Sequence, residues 1–288
     1  MMQYGLADCA SIASVTTQDT NMKPFHSIKN RVERFFYNAY QRRLESDATA
    51  WDIPRHIGVI LDGNRRYAKA SGLDDVIKGH REGANKLEEV LHWCDELGVE
   101  IFSIWIFSLD NFKRAAHEVE GILGLIERKM RELVTIEGLH TNRIKVRAMG
   151  QIDLLPPSLQ EAIREAEEAT QHYDKFILNV AVAYGGREEI IEAFRGHLKT
   201  ESARGKPAYQ IADELTVDKI APYLYTSNLP DPELIIRTSG EVRLSGFLLW
   251  QSVYSEFYFC DTYWPSFRKI DFLRALRAYS QRKRRFGK

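Results

Sequence analysis

Residues 56–72 read HIGVILDGNRRYAKASG. The apolar run, at 57 and 59–61, is too short for a helix and suits a strand buried on both faces. Asp62 and Gly63 follow at once, then Asn64, Arg65, Arg66 and Lys69. Asp-Gly by itself signals a turn. A plain turn has no use for two guanidiniums and a lysine directly behind it. The segment reads as a buried strand that runs out into a charged rim.

The same design recurs along the chain. Strand-like runs lie at 57–61, 101–107, 144–148, 176–182, 234–236 and 257–260. Helical spacing of apolar residues falls between them, at about 80–97, 116–137, 157–172, 187–204 and 213–221, with a last helix near 269–283. Alternating strands and helices, with strands apolar on both faces, predict an α/β fold with a central parallel sheet of about six strands flanked by helices. Upstream, Ile28, Val32, Phe35, Phe36, Ala39, Tyr40 and Leu44 form one apolar stripe, a helix over 25–46 that must pack on something. Residues 1–24, rich in Ser and Thr, read as a flexible tail. The expected organisation is that tail and a single domain over 25–288.

Composition narrows the function. The 288 residues carry 40 basic and 40 acidic side chains, so net charge gives no case for a general polyanion binder. The 44% hydrophobic content is that of a globular protein. Cys9, Cys94 and Cys260 are far apart and have no metal-ligand spacing, which suits a reducing compartment. No run approaches the roughly 18 apolar residues of a membrane span. The first 25 residues lack a basic n-region, so no signal peptide is expected and the location expected is cytoplasmic. The basic end, from Arg274 to Arg285, would suit nucleic acid or a membrane surface. The chain nevertheless has no zinc-finger spacing, no helix-turn-helix signature and no interleaved aromatic stripe.

Three strand ends carry the chemistry. IWIFSLDNFKR delivers Ser108, Asn111 and Arg114, and IIRTSGEVRLSGF delivers Arg237, Thr238, Ser239, Arg243 and Ser245. In an open parallel sheet such ends share one crevice with Asp62 and its arginines. Guanidinium forks and hydroxyls suit phosphate oxygens, and glycines let backbone N–H groups approach. Asp62 is available to a hard divalent cation bridging to phosphate. A compact diphosphate explains this set better than nucleic acid does.

HIGVILDGNRRYAK, GHREG, IFSLDNFKR, NVAVAYGGREEI, DPELIIRTSGEVRLSGFLLWQSVYSEFYF and YWPSFRKIDFLRAL together resemble the cis-prenyltransferases, the undecaprenyl diphosphate synthase family. The likeness runs from about residue 54 to the end and is nearest to the short-chain actinobacterial branch. It implies a parallel sheet with an elongated apolar tunnel, in a homodimer. It also implies condensation of isopentenyl diphosphate with an allylic diphosphate to form a Z double bond, dependent on Mg²⁺. The all-helical trans-prenyltransferases have little support, since DDxxD is absent and Asp74-Asp75 is followed by VIKG.

Position by position, the resemblance gives Asp62 and Glu256 to the metal. It gives Gly63, Asn64 and Arg66 to the diphosphate loop and His80 to the next motif. Arg237, Arg243 and Ser245 would grip isopentenyl diphosphate, with Ser108 and Asn111 near the reacting carbons and Arg114 and Glu118 beside them. Arg285 and Gly287 match an Arg-x-Gly ending that reaches the partner subunit's site. The chain departs from the pattern at Arg65, where glycine is usual, at Tyr67 and Phe112, where tryptophan is usual, and at Gly246, where asparagine is usual. GLDDVIK before Gly79 is longer and more acidic than usual. Ile106 stands where long-chain members have alanine, which predicts a fifteen-carbon product, (2Z,6E)-farnesyl diphosphate, built from geranyl diphosphate. The alternatives are a long-chain polyprenyl product or, in another class, a protein whose basic tail binds nucleic acid or membrane. The expected partners are the two diphosphates and a second copy of the chain, with no nucleic acid and at most peripheral contact with a membrane.

Overall fold

In a computed structural model of the chain the described residues are 37–135, 141 and 143–282. The chain divides into two units, Met1–Arg43 and Leu44–Lys288. Residues 37–43, the described part of the first unit, are helical. The expected tail over 1–24 lies outside the described residues, as do Arg285 and Gly287 and the first part of the helix predicted over 25–46. The rest of this description concerns the second unit, in which residues 44–48 are also helical.

Six strands form one sheet: β1 (His56–Ile60), β2 (Ile101–Ser108), β3 (Ile144–Met149), β4 (Phe176–Tyr184), β5 (Leu234–Arg237) and β6 (Glu256–Phe259). Their order across the sheet is β3-β4-β2-β1-β5-β6, and every pairing is parallel. The helices are α1 (Asn64–Ala70), α2 (Val76–Glu96), α3 (Ala116–Thr135), α4 (Pro157–Thr170), α5 (Gly186–Ala203), α6 (Ala208–Asp213), α7 (Val217–Ile220) and α8 (Lys269–Gln281).

Both faces of the sheet are covered, which is why its inner strands read as unbroken apolar runs. All five residues of β1 and all four of β5 are buried. Alternate residues point to opposite sides. Ile57 and Val59 join the larger core with Val90 of α2, Ile122 of α3, Leu159 of α4 and Phe272 of α8. Ile60 joins the smaller one with Ala181, Ile235, Phe247 and Leu248. Each fully buried Ile or Phe contributes about 1.5–3 kcal/mol by leaving water. The buried polar residue of β1, His56, is satisfied: its ring nitrogens lie 2.7 Å from the Pro230 carbonyl and 2.7 Å from Ser103 Oγ.

Three expected elements differ. The stretch after Asp62 is a short helix, α1, where a loop was expected. Helix α2 starts at Val76 instead of about 80, because Asp75 caps it by accepting from the Ile77 N–H at 2.9 Å. The helix predicted over 213–221 is reduced to the short α7, with α6 lying before it at Ala208–Asp213.

Candidate active site

The carboxyl ends of β1, β2 and β5 meet at one rim. Ile60 pairs with Arg237, so Asp62 and Thr238 are neighbours just beyond the ladder. Thr238 Oγ1 lies 2.7 Å from the Asp62 carbonyl and accepts from the Asp62 N–H at 3.0 Å, which fixes the turn out of β1. Gly63 then takes φ 106°, and a Cβ there would lie 3.0 Å from the Ser239 Cβ and 2.9 Å from the Tyr263 ring. Only glycine meets both demands. The chain enters α1 directly, so Asn64, Arg65 and Arg66 are displayed on a helix.

The rim opens into a cleft of about 810 Å³. Arg65, Arg66, Lys69, Arg114, Arg237 and Arg243 line it against the carboxylates of Asp62, Asp74 and Glu241. The arginines are held in place rather than free. Arg237, 5% exposed, donates to Asp62 Oδ2 at 2.8 Å, to Ser245 Oγ at 2.8 Å and to the Arg243 carbonyl. Arg66 donates to Ser239 Oγ at 2.5 Å and lies 3.4 Å from Asp62 Oδ1. On the far wall the buried Glu118 collects Arg114 at 2.9 Å and Arg65 at 3.4 Å. Burial pushes the Asp62 carboxyl up, but the hydrogen bond and charge of Arg237, with the charge of Arg66, outweigh it and hold it below the ordinary value. His80 is lowered to about 4, chiefly by burial and then by the Arg114 charge, so its imidazole is neutral.

The cleft also holds unmet hydrogen-bonding capacity. Among the described residues, Asn64 Oδ1, His80 Nε2, Trp105 Nε1 and Arg237 Nε are buried without a partner, and all four residues line the cleft. Buried polar atoms without partners are rare in folded proteins and point here to a ligand. Leu61, Asn64, His80 and Ile106 belong at the same time to a second cavity, of about 100 Å³. That cavity is apolar, walled by Leu87 and Leu91 of α2, Ile122, Leu125 and Leu133 of α3, and Ile104 of β2. A cationic cleft thus meets, at a ring of four shared residues, an apolar cavity between α2 and α3.

The sequence profile of the family described as putative undecaprenyl diphosphate synthase matches residues 60–287. The chain belongs to this family, the cis-prenyltransferases. An isoprenyl transferase of Deinococcus radiodurans is 52% identical over 86% of this chain and 91% of its own length. A (2Z,6E)-farnesyl diphosphate synthase of Thermobifida fusca is 52% identical over 87% of this chain and 96% of its own. The crystal structure of lavandulyl diphosphate synthase from Lavandula x intermedia in complex with dimethylallyl diphosphate aligns with TM-score 0.74 and 36% identity. That alignment covers 82% of this chain and 99% of the other. As a cis-prenyltransferase, the protein condenses isopentenyl diphosphate with an allylic diphosphate.

Most of the residues singled out in the sequence of this cis-prenyltransferase gather at the cleft: Asp62, Gly63, Asn64, Arg65, Arg66, His80, Ile106, Ser108, Asn111, Arg114, Arg237, Arg243 and Ser245 line it. Glu118 stands behind Arg65 and Arg114. Phe112 packs edge-on against Phe107, centroids 4.9 Å apart, and neither Phe112 nor Tyr67 is part of the lining. Asn111 Oδ1 accepts the Ser108 N–H at 3.0 Å, which leaves its amide N–H groups as the donor end.

Within one chain Glu256 stands apart from Asp62. It opens β6 opposite Leu234, whereas Asp62 lies beyond the Ile60–Arg237 pair. The two carboxylates are about five residue rows apart, on the order of 15 Å along the strands. One chain does not bring them to one ion, and Glu256 is instead ion-paired with Arg282. Among the described residues no three His, Cys, Asp or Glu side chains cluster around a metal position. Asp62 still fits a hydrated Mg²⁺, an ion that takes one or two carboxylates and completes its shell with water and substrate phosphates. Glu241 and Asp74, both lining the cleft, were missed. Glu241 lies inside a quoted motif, and its contacts to Arg66 at 3.2 Å and to Arg243 have no signature in spacing.

Proposed function

We propose that the protein is a short-chain cis-prenyltransferase making (2Z,6E)-farnesyl diphosphate from geranyl and isopentenyl diphosphates. The observation that carries this is the junction of the cationic cleft with a channel of only about 100 Å³. A cavity of about 150 Å³ holds benzene, six carbons. The channel therefore has room for roughly one five-carbon unit beyond the Ile106 ring. The name of the Thermobifida fusca relative agrees with this reading.

In this reading Asn64, Arg65 and Arg66 hold the allylic diphosphate, while Arg237, Arg243 and Ser245 hold that of isopentenyl diphosphate. The allylic C–O bond breaks, its electron pair leaves with pyrophosphate, and the isopentenyl double bond attacks the allylic carbon. Loss of one proton then sets the Z double bond. Fixed guanidiniums neutralise the departing diphosphate without reorganising, the main source of rate in such steps. Bound Mg²⁺, held by Asp62 and the diphosphate, would supply further Lewis-acid neutralisation. Asn111, its carbonyl taken by Ser108, orients substrate through its N–H groups. The apolar channel keeps water from the allylic cation.

A homodimer belongs to the same proposal. Val253 and Tyr254 are exposed next to the edge strand β6, an arrangement suited to a second copy. A monomeric mass in solution with full activity would refute it. The function is tested by incubating isopentenyl diphosphate with dimethylallyl, geranyl or farnesyl diphosphate and reading products by mass and double-bond geometry. A fifteen-carbon Z,E product from geranyl diphosphate is expected, and chains of about fifty carbons would sink the short-chain assignment.

A further inference from the structure

The segment that presents Arg243 and Ser245 has almost no regular structure of its own. Residues 241–248 lie between β5 and the turn before β6, and Ser245 and Leu248 sit at φ 53° and 46°. Side chains other than glycine keep such conformations only where the surroundings fix them. The attachment comes from below, from the motif AYGGREEI. The Leu248 N–H donates to Tyr184 Oη at 3.1 Å, and Tyr184 Oη donates to Glu189 Oε2 at 2.5 Å. The other oxygen of Glu189 accepts from Gln251 Nε2 at 2.9 Å and from the Tyr225 N–H at 3.0 Å. Phe247 stacks on Trp105 at 5.5 Å and meets the Tyr184 ring edge-on at 6.1 Å. A Cβ on Gly186 would strike the Gly246 carbonyl oxygen, so the first turn of α5 lies directly under the segment.

Tyr184 and Glu189 are 0% and 1% exposed and do not line the cleft. A carboxylate there is costly unless its hydrogen bonds are complete, and these are. We propose that Tyr184 and Glu189 are positioning residues for the condensation. Through the Leu248 N–H they hold residues 241–248 so that Arg243 and Ser245 meet the diphosphate of isopentenyl diphosphate. The inference rests on the assignment of Arg237, Arg243 and Ser245 to that diphosphate. Among the described residues, the one main-chain group that Tyr184 Oη engages is in the diphosphate segment, three residues from Ser245.

Tyr184→Phe tests it, since the ring and its stacking stay and only the hydroxyl goes. The expected result is an isopentenyl diphosphate KM raised about tenfold, the effect of one lost buried hydrogen bond. The allylic KM stays unchanged and kcat stays within about twofold, as for an interaction used in binding. Tyr184→Phe with Ser245→Ala should give less than the product of the single effects, because both act through one segment. Should Tyr184→Phe fail to fold, Glu189→Gln is read in the same way. Equal rises in both KM values, or a loss of Tm with both KM values unchanged, would overturn the proposal. Arg243→Ala and Ser245→Ala separate the two levels. If they leave the isopentenyl KM unchanged, the diphosphate assignment fails and the positioning role with it. If they raise it while Tyr184→Phe and Glu189→Gln do not, the positioning role fails alone.

Discussion

Asp62 is the residue on which the most depends, because one carboxylate orders two guanidiniums and faces the cleft. Asp62→Ala should cost on the order of 10²-fold or more in turnover, the scale of one preorganised electrostatic group. It should also cost stability. Arg237 is 5% exposed and would lose its only carboxylate partner among the described residues. Breaking a fully buried pair costs about 3–5 kcal/mol, and Asp62 is partly exposed, so a loss on the order of 2 kcal/mol is expected. Turnover and Tm of Asp62→Ala and Asp62→Asn check both parts. Full activity in either variant would remove Asp62 from the mechanism, and full activity in excess EDTA would remove the metal. At this scale the sequence was informative because hydroxyls, amides and guanidiniums directly after apolar runs have few structural uses. It did not reveal Glu241 and Asp74, whose place in the cleft depends on loop geometry. The resemblance gave Glu256 to the metal, and only the register of β6 shows how far it lies from Asp62 within one chain.

Elements set the size of the channel. α2 and α3 wall it, with β2 as its floor, and Ile106 stands where cleft and channel meet. Overpacking a filled site costs roughly 1–3 kcal/mol, and about 1.4 kcal/mol is a tenfold product ratio. Ile106→Ala should therefore give products longer than fifteen carbons while the first condensation persists. An unchanged short product would move the stop deeper, toward Leu125 and Leu133. The packing of α1 on α2 is equally specific. A Cβ on Gly83 would collide with Asn64 Oδ1 and lie 2.9 Å from Trp264 Cδ1. Gly83→Ala should lower Tm by several degrees, since overpacking at about 1–3 kcal/mol outweighs the helix propensity gained. It should also raise the allylic KM by displacing Asn64, and an unchanged Tm and KM would show that α1 yields. The strands and long helices were legible because their apolar periods are long. α1 was not, because seven residues with three charges carry no period. Its position depends on the close approach that Gly83 permits.

Among the described residues two imidazoles with lowered pKa, the buried His56 and the partly buried His80, bear on the acid stability of the whole molecule. Burial first, and for His80 then the charge of Arg114, lowers His56 and His80 to about 4, against an ordinary value of 6.5. Between pH 6.5 and 4 the unfolded chain binds protons at these histidines and the native state does not. Stability therefore rises with pH across that window and is lost as pH falls through it. Each imidazole can contribute up to on the order of 3 kcal/mol. Glu189 and Asp231 oppose this: their carboxyls are raised, chiefly by burial, so acidification favours the native state there. The two lowered imidazoles, which the unfolded chain protonates from pH 6.5 downward, outweigh the two raised carboxyls, so acidification costs stability. Urea unfolding at pH 7 and at 4.5 should give a lower midpoint at 4.5 with similar slope. His56→Gln should flatten the dependence, because a neutral amide can serve Pro230 and Ser103 without titrating. A midpoint unchanged between the two pH values, or a His56→Gln variant as acid-sensitive as the parent, would show that these histidines are not held neutral by the fold.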